Sequence, residues 1–230
     1  MTPGRALIVG SSAGIGLALS ERLLALGWRV VGVSKSAATT VAPGYAHALV
    51  DVSAAEYPQV LGSLLEKHGP FEVCVYCAGT GELFDATDLS RDPLAFRVNL
   101  LGAVETSRLV LSSMLALGRG HFLALSSLGD GISTSSPSYA ASKAGLSSYL
   151  AGLALALRAT GVQVTNVRFG FVDTKMAKSS WRPFLISAER AADLLIGCLK
   201  TRPARLSYPK QMALLTWFLS WCATVRLWFT

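Results

Sequence analysis

The amino-acid sequence predicts an α/β protein: a doubly wound, mostly parallel, seven-stranded sheet with helices on both faces, followed by a hydrophobic C-terminal segment. Seven short apolar runs carry this reading, at residues 6–10, 29–33, 48–52, 72–77, 121–126, 162–168 and 205–208. Segments with helical spacing lie between most of them. Runs that are apolar at nearly every position are strands buried on both faces of a parallel sheet, which helices must cover. Right-handed crossovers then wind those helices onto the two faces.

Composition sets the bounds. The chain has 230 residues, 51% hydrophobic and 15% charged, against a usual charged share of about 25%. That excludes a disordered chain and suits one domain with a large core. Four Cys are too sparse for a disulfide scaffold. A net charge of +7 and a pI near 9.5 permit nucleic acid, an anionic membrane surface or an acidic ligand. The basic residues are scattered rather than clustered with aromatics, so no nucleic-acid partner is expected.

The elements follow in order. Ala6-Leu7-Ile8-Val9 runs straight into Gly10, which is too short for a secretory signal and reads as a buried strand. With no export signal visible, a cytoplasmic location is the expectation. Ile15, Leu19, Leu23 and Leu26 share one helical face, and Gly27 stops that helix. Ser53-Ala54-Ala55-Glu56 spells a capping box for the second helix. Asp92 and Pro93 form an N-cap and N1 pair for a third, continuing through Val98, Leu101 and Val104 to about Leu117. A fourth covers residues 138–160 and ends at Gly161, and a fifth covers 187–200.

Residues 212–229 carry one charge, Arg226, and three of the five Trp: Trp217, Trp221 and Trp228. Eighteen residues sit at the lower edge of a bilayer span. Two readings stand: packing against the domain or a sister subunit, and an interfacial helix with its indoles at headgroup level. Residues 1–209 are thus one domain and residues 210–230 a hydrophobic appendage.

Two motifs carry chemistry. The first strand enters Gly10-Ser11-Ser12-Ala13-Gly14-Ile15-Gly16 and a helix follows. Glycines let such a turn bring backbone N–H groups against a pyrophosphate, at the positive end of the helix. Farther on, Tyr139-Ala140-Ala141-Ser142-Lys143 puts a phenol and an ammonium one turn apart on a helix face. A cation there favours phenolate and lowers the phenol from its ordinary value, so that Tyr139 could trade a proton with an alcohol oxygen.

Gly10/Gly14/Gly16, Asn99, Ser126-Ser127, Tyr139 and Lys143 come in an order that resembles the short-chain dehydrogenase/reductase family, over residues 5–209. The resemblance implies a Rossmann-type subunit that moves a hydride between a nicotinamide and a carbonyl or alcohol carbon. By it, Tyr139 is the acid/base, Lys143 tunes it and contacts the nicotinamide ribose, and Asn99 holds a proton-relay water near Lys143. Gly10, Ser12, Gly14, Ile15 and Gly16 meet the cofactor, as do Asp51, Val52, Ala78, Gly79, Val172 and Thr174. A serine would bind the substrate oxygen. The family's spacing to the tyrosine selects Ser126, and its strand spelling selects Ser127. A deletion in the loop 128–138 is easier to accommodate than a shifted strand, so Ser127 is expected. Tyr76 and Cys77 replace family asparagines, and Phe169 stands where proline is usual.

Cofactor choice turns on the end of the second strand, Val33-Ser34-Lys35-Ser36. An acid there would select NAD(H) and a base accommodates a 2′-phosphate, so Lys35 favours NADP(H). The partner expected is a small carbonyl or alcohol. Lys175, Lys178 and Arg182, in a short stretch before Ser187, suit an acidic or lipid-like one. The resemblance also implies a homo-oligomer. A nicotinamide-binding sensor on the same fold is the alternative, although it would have no use for a proton relay. Cys74 and Cys77, three apart on a strand, point to opposite faces, and the dispersed His47, His68 and His121 suggest no metal.

Overall fold

In the computed structural model, which describes residues 2–132, 135–176 and 182–228, the apolar runs pair into one sheet. Its strands are β1 (Arg5–Val9), β2 (Arg29–Ser34), β3 (Tyr45–Leu49), β4 (Val73–Tyr76), β5 (Gly120–Ser127), β6 (Val162–Phe169) and β7 (Arg205–Tyr208). Their order is β3-β2-β1-β4-β5-β6-β7, and every neighbouring pair is parallel. Lys178 and Phe229 lie outside the described residues.

Period two divides the core. Leu7 and Val9 enter a cluster on one face with Tyr57, Leu61, Val110, Met114, Leu146 and Leu150. Ala6 and Ile8 enter the other face with Leu19, Leu23, Ala191 and Leu195. The first face is covered by α2 (Tyr57–His68), α4 (Gly102–Ala116) and α5 (Pro137–Ala156), the second by α1 (Gly14–Ala25) and α6 (Ala188–Thr201). A short α3 (Asp92–Phe96) precedes α4, and α7 (Lys210–Trp228) closes the chain.

Several boundaries differ from expectation. β3 lies at Tyr45–Leu49 rather than 48–52 because it is an edge strand, half-buried along its length, so no continuous apolar run marks it. The capping box at Ser53 does not form. The Ser53 hydroxyl and backbone N–H both donate to Asp51 Oδ1, at 2.7 and 2.8 Å, and α2 starts at Tyr57. Asp92 does not cap the third helix: Asp88 accepts from Ser90 N at 3.0 Å and starts a 3-10 turn, leaving Asp92 inside the first turn of α3. α5 stops at Ala156, where Thr160 turns back to the Leu157 carbonyl at 2.8 Å before Gly161 (φ +75°) leads into β6. Helices α3 and α4 are not one continuous α-helix either, because residues Arg97–Leu101 between them wind as a π-turn.

Strand order reverses at β1 and β4, so a crevice opens beyond the carboxyl ends of these strands. The residues singled out above leave the sheet at that end.

Candidate active site

Gly10 terminates β1 with φ +89° and bonds Val33 O through its N–H at 2.7 Å. A Cβ at Gly10 would sit 2.5 Å from Ala78 N, and one at Gly16 would sit 2.1 Å from Gly10 O. The turn is therefore held by backbone against backbone, and any side chain would pry it from the exit of β4. The N-cap of α1 is Ala13, which supplies no side-chain acceptor. The amides of Gly14, Ile15 and Gly16 thus open the helix without a side-chain cap, a donor set that suits an anion. Ser12 lies half-buried on this turn. Thr174 closes over it, its Cγ2 2.9 Å from where a Gly14 Cβ would be, and Val172 is fixed nearby by a bridge to Ile186. These features fit a pyrophosphate-bearing cofactor.

At the ends of β2 and β3, Ser34 Oγ donates to Ser36 O at 2.8 Å and meets His47 Nε2 at 2.7 Å, so its hydroxyl is locally engaged. Lys35 and Ser36 are exposed. Asp51 and Val52 follow β3. Burial raises the Asp51 carboxyl, but the Ser53 bonds and the Lys35 charge bring it below its usual range. Val52 packs into the core beside Gly102.

β4 delivers Cys77-Ala78-Gly79. Cys77 N bonds Val9 O at 2.7 Å, and Cys74 and Cys77 pack on opposite faces of the sheet. Tyr76, in place of a family asparagine, is fully buried and donates to Val98 O at 2.6 Å. It thereby pins the π-turn one residue before Asn99, which the widened winding presents. Asn99 Nδ2 donates to Thr80 O (2.8 Å) and Ser142 Oγ (2.9 Å), while its Oδ1 accepts from Thr80 N at 2.8 Å. Both amide protons have protein partners, so this side chain clamps the loop after β4 to α5.

β5 ends at Ser126-Ser127, and alternation separates the two. Ser126 turns away to Asn166 Oδ1 at 2.6 Å. Ser127 Oγ accepts from Gly129 N at 3.0 Å, and its hydroxyl is near enough to the Tyr139 phenol to lower it. Lys143 is buried, and its Nζ donates to Leu125 O at 2.7 Å. Both α5 side chains face the loop after β4: a Cβ on Gly79 would lie 3.6 Å from Lys143 Nζ, and one on Gly81 would lie 2.7 Å from Tyr139 Cδ2.

The electrostatics differ from the expectation of a phenol acidified by its lysine. Burial pushes the Tyr139 phenol above its ordinary value, the Ser127 hydrogen bond lowers it, and the Asp130 carboxylate raises it. Burial pulls the Lys143 ammonium down to about 8, against an upward push from Cys77, whose own thiol burial pushes up to about 12.

With this geometry in view, comparison with known proteins is decisive. The short chain dehydrogenase family profile matches residues 5–183. The chain belongs to that family. It is similar to an uncharacterized oxidoreductase of Myxococcus xanthus, 30% identical over 231 residues that span 92% of this chain and 89% of the relative. A putative ketoacyl reductase of Streptomyces coelicolor is 31% identical over 76% of this chain and 72% of its own. Among solved structures, a short-chain dehydrogenase of Streptomyces avermitilis superposes with a TM-score of 0.86 at 22% identity, covering 99% of this chain and 97% of that one. One from Burkholderia cenocepacia, in complex with NADP, gives 0.85 at 20% identity, over 95% and 93%. This short-chain dehydrogenase is an oxidoreductase of a family that binds a nicotinamide cofactor and acts on small molecules.

Sequence reasoning missed four contributors. Tyr76 holds the π-turn, and no pattern announced that a phenol would do so. Asp130 and Arg168 pair beside Ser127, and their separation along the chain hides them. Ser147 bonds Asp130, and here a signal existed, because residues 139, 143 and 147 recur every four positions along one helix face. Arg182, read as a basic lid residue, pairs with Asp173 at 3.7 Å.

Proposed function

We propose that this short-chain dehydrogenase is an NADP(H)-dependent carbonyl reductase, reversible as an alcohol dehydrogenase, with a preference for hydrophobic carbonyls. The observation that carries the reading is the convergence of Tyr139 and Lys143 on the loop after β4, against Gly81 and Gly79, with Ser127 acting on the phenol. Gly10, Ser12, Gly14, Ile15 and Gly16 would hold the pyrophosphate, Asp51, Val52, Ala78 and Gly79 the adenosine side, and Val172 and Thr174 the nicotinamide amide. Lys143 would meet the nicotinamide ribose. The dinucleotide supplies or accepts the hydride at the substrate carbon.

The chain's own residues handle the oxygen. In reduction, Ser127 donates to the carbonyl oxygen and Tyr139 transfers its proton to that oxygen as the alcohol forms. In oxidation the alcohol proton returns to Tyr139. A raised phenol suits the acid role, and general acid catalysis of this kind contributes about 10²–10⁴-fold. Asn99 keeps the loop after β4 and α5 in register for this transfer.

NADP(H) is favoured by exposed Lys35 with no acid beside it on the β2 end. The hydrophobic preference rests on the rim: Leu83, Phe84, Met176, Phe184 and Leu185 are exposed, and Met176 reaches toward Gly79. Two relatives bear reductase names of that kind, the putative ketoacyl reductase and a 3-oxoacyl-[acyl-carrier-protein] reductase of Salmonella typhimurium. Self-association has apolar surface available on α3 to α5, where Leu94, Phe96 and Leu155 are exposed. The test is a carbonyl panel with NADPH and NADH, run with Tyr139→Phe alongside. NADPH oxidation that favours long apolar ketones and falls about a thousandfold in Tyr139→Phe, with NADPH binding retained, is expected. Binding without turnover in the parent enzyme would assign the fold to sensing instead.

A further inference from the structure

Helix α7 is turned inside out. Toward the domain it places Thr216, 6% exposed, flanked by half-buried Met212, Ala213 and Ser220. Met212 and Ser220 adjoin Gly170 and Gly131. The outward side presents Leu214 (68% exposed), Leu215, Trp217 (65%), Phe218 and Leu219. A surface helix of a globular protein normally does the reverse, with its apolar stripe on the core. A contiguous exposed patch of this kind marks a surface that docks onto something.

Charge says what. The last acidic residue of the chain is Asp193, and residues 194–230 hold five cations, Lys200, Arg202, Arg205, Lys210 and Arg226, with no Asp or Glu. Lys200, Arg202, Arg205 and Lys210 are all exposed. Two copies meeting through α7 would bring like charge against like charge. An anionic surface is complementary to it, and each cation near such a surface adds to binding. Trp217 supplies an indole at the depth where headgroups meet acyl chains. Among the described residues no helix is long and apolar enough to cross a membrane.

We propose that α7 is an interfacial helix that docks this enzyme on an anionic lipid bilayer, lying on the surface with Leu214, Leu215, Trp217, Phe218 and Leu219 in the headgroup–acyl boundary. Its other side packs on the turn Leu128–Gly131 that follows Ser127. The docked face therefore adjoins the element that carries the site's serine.

The experiment is vesicle flotation of the full chain, with vesicles of phosphatidylcholine alone and of phosphatidylcholine mixed with phosphatidylglycerol. The chain is expected to float with the mixed vesicles, at least tenfold more than with the neutral ones, and to be released by salt. Trp217→Ser/Phe218→Ser removes two exposed apolar anchors and is expected to lower partitioning by about tenfold or more. Lys200→Gln/Arg205→Gln/Lys210→Gln is expected to lower it about fivefold per cation. All these side chains are exposed, so thermal melts of both variants should match the parent. Recovery of the parent in the soluble fraction with both vesicle types would overturn the proposal. So would equal, salt-insensitive flotation with both, or light scattering in which Trp217→Ser/Phe218→Ser splits an oligomer into monomers.

Discussion

Arg168 on β6 grips Asp130, three residues beyond Ser127, with two prongs: Nε donates to Oδ2 at 2.9 Å, and Nη2 to Oδ1. Ser147 of α5 donates to the same carboxylate, Asn166 Nδ2 reaches Ser147 Oγ at 3.1 Å, and Ser126 closes the circuit onto Asn166. The turn that carries Ser127 is thereby tied to β6 and α5 by a mostly buried polar network. Such a network is costly to break at one member.

This pairing has a consequence for pH dependence. The charged and titratable groups around Tyr139 are Lys143 from its own helix, Asp130 with Arg168 behind it, and Cys77, kept neutral by burial beside Lys143. Asp130 raises the phenol, and Arg168 offsets that charge. Arg168→Met should leave the carboxylate uncompensated and move the acid limb of alcohol oxidation up by about one pH unit. Asp130→Asn should move it down by a similar amount. A purely structural role would instead lower kcat in both variants without displacing the limb, and pH–rate profiles of the two distinguish these outcomes.

The serine pair gives a second prediction. Ser127 acts on the Tyr139 phenol and lowers it, while Ser126 faces Asn166 on the other side of β5. Ser127→Ala should lower kcat about 10²-fold, as expected when a donor to a developing oxyanion is removed, with little change in stability. Ser126→Ala breaks the buried network and should instead cost about 1 kcal/mol of stability, leaving kcat within a few-fold. Steady-state kinetics paired with urea unfolding check both.

The contrast between these two sets of residues explains what was legible in the sequence. The strands read as apolar runs because both faces of the sheet are buried, and the glycine turn and the Tyr139/Lys143 spacing read because local geometry demands them. The edge strand β3 was misplaced by three residues because one-sided burial erases the apolar run. The Asp130–Arg168 pair and the Tyr76 anchor were invisible, since partners 38 and 22 residues apart meet only through strand order. The phenol's electrostatics were misjudged for a related reason. Spacing reports which side chains are neighbours, but burial, the largest influence on Tyr139, belongs to the tertiary structure.

The proposed NADP(H) preference rests on one exposed cation. Lys35 stands at the β2 end with Ser34 already bonded to Ser36 and His47, so it is the group available to a 2′-phosphate. Lys35→Ala should weaken NADPH binding about tenfold, the value of one charge-assisted contact, and leave NADH binding unchanged. Lys35→Glu should reverse the preference. Titrations with both dinucleotides decide this, and equal losses for the two would remove Lys35 from cofactor selection.

Stability should carry its own acid signature, from a residue far from the chemistry. His121 is fully buried on β5, with Nε2 2.8 Å from Thr165 Oγ1 and Nδ1 without a partner among the described residues. Burial, with Arg202 adding to it, lowers its pKa to about 4. Above pH ~6.5, the ordinary histidine value, the ring is neutral folded or unfolded and contributes nothing to pH dependence. Between ~6.5 and about 4 only the unfolded chain takes up the proton, so stability falls as pH falls, by roughly 3 kcal/mol in all. His121→Gln keeps a side-chain donor toward Thr165 without a titrating ring and should flatten that part of the stability–pH curve. Urea unfolding across this range measures it. An unchanged slope in His121→Gln would place the acid sensitivity on the carboxylates instead.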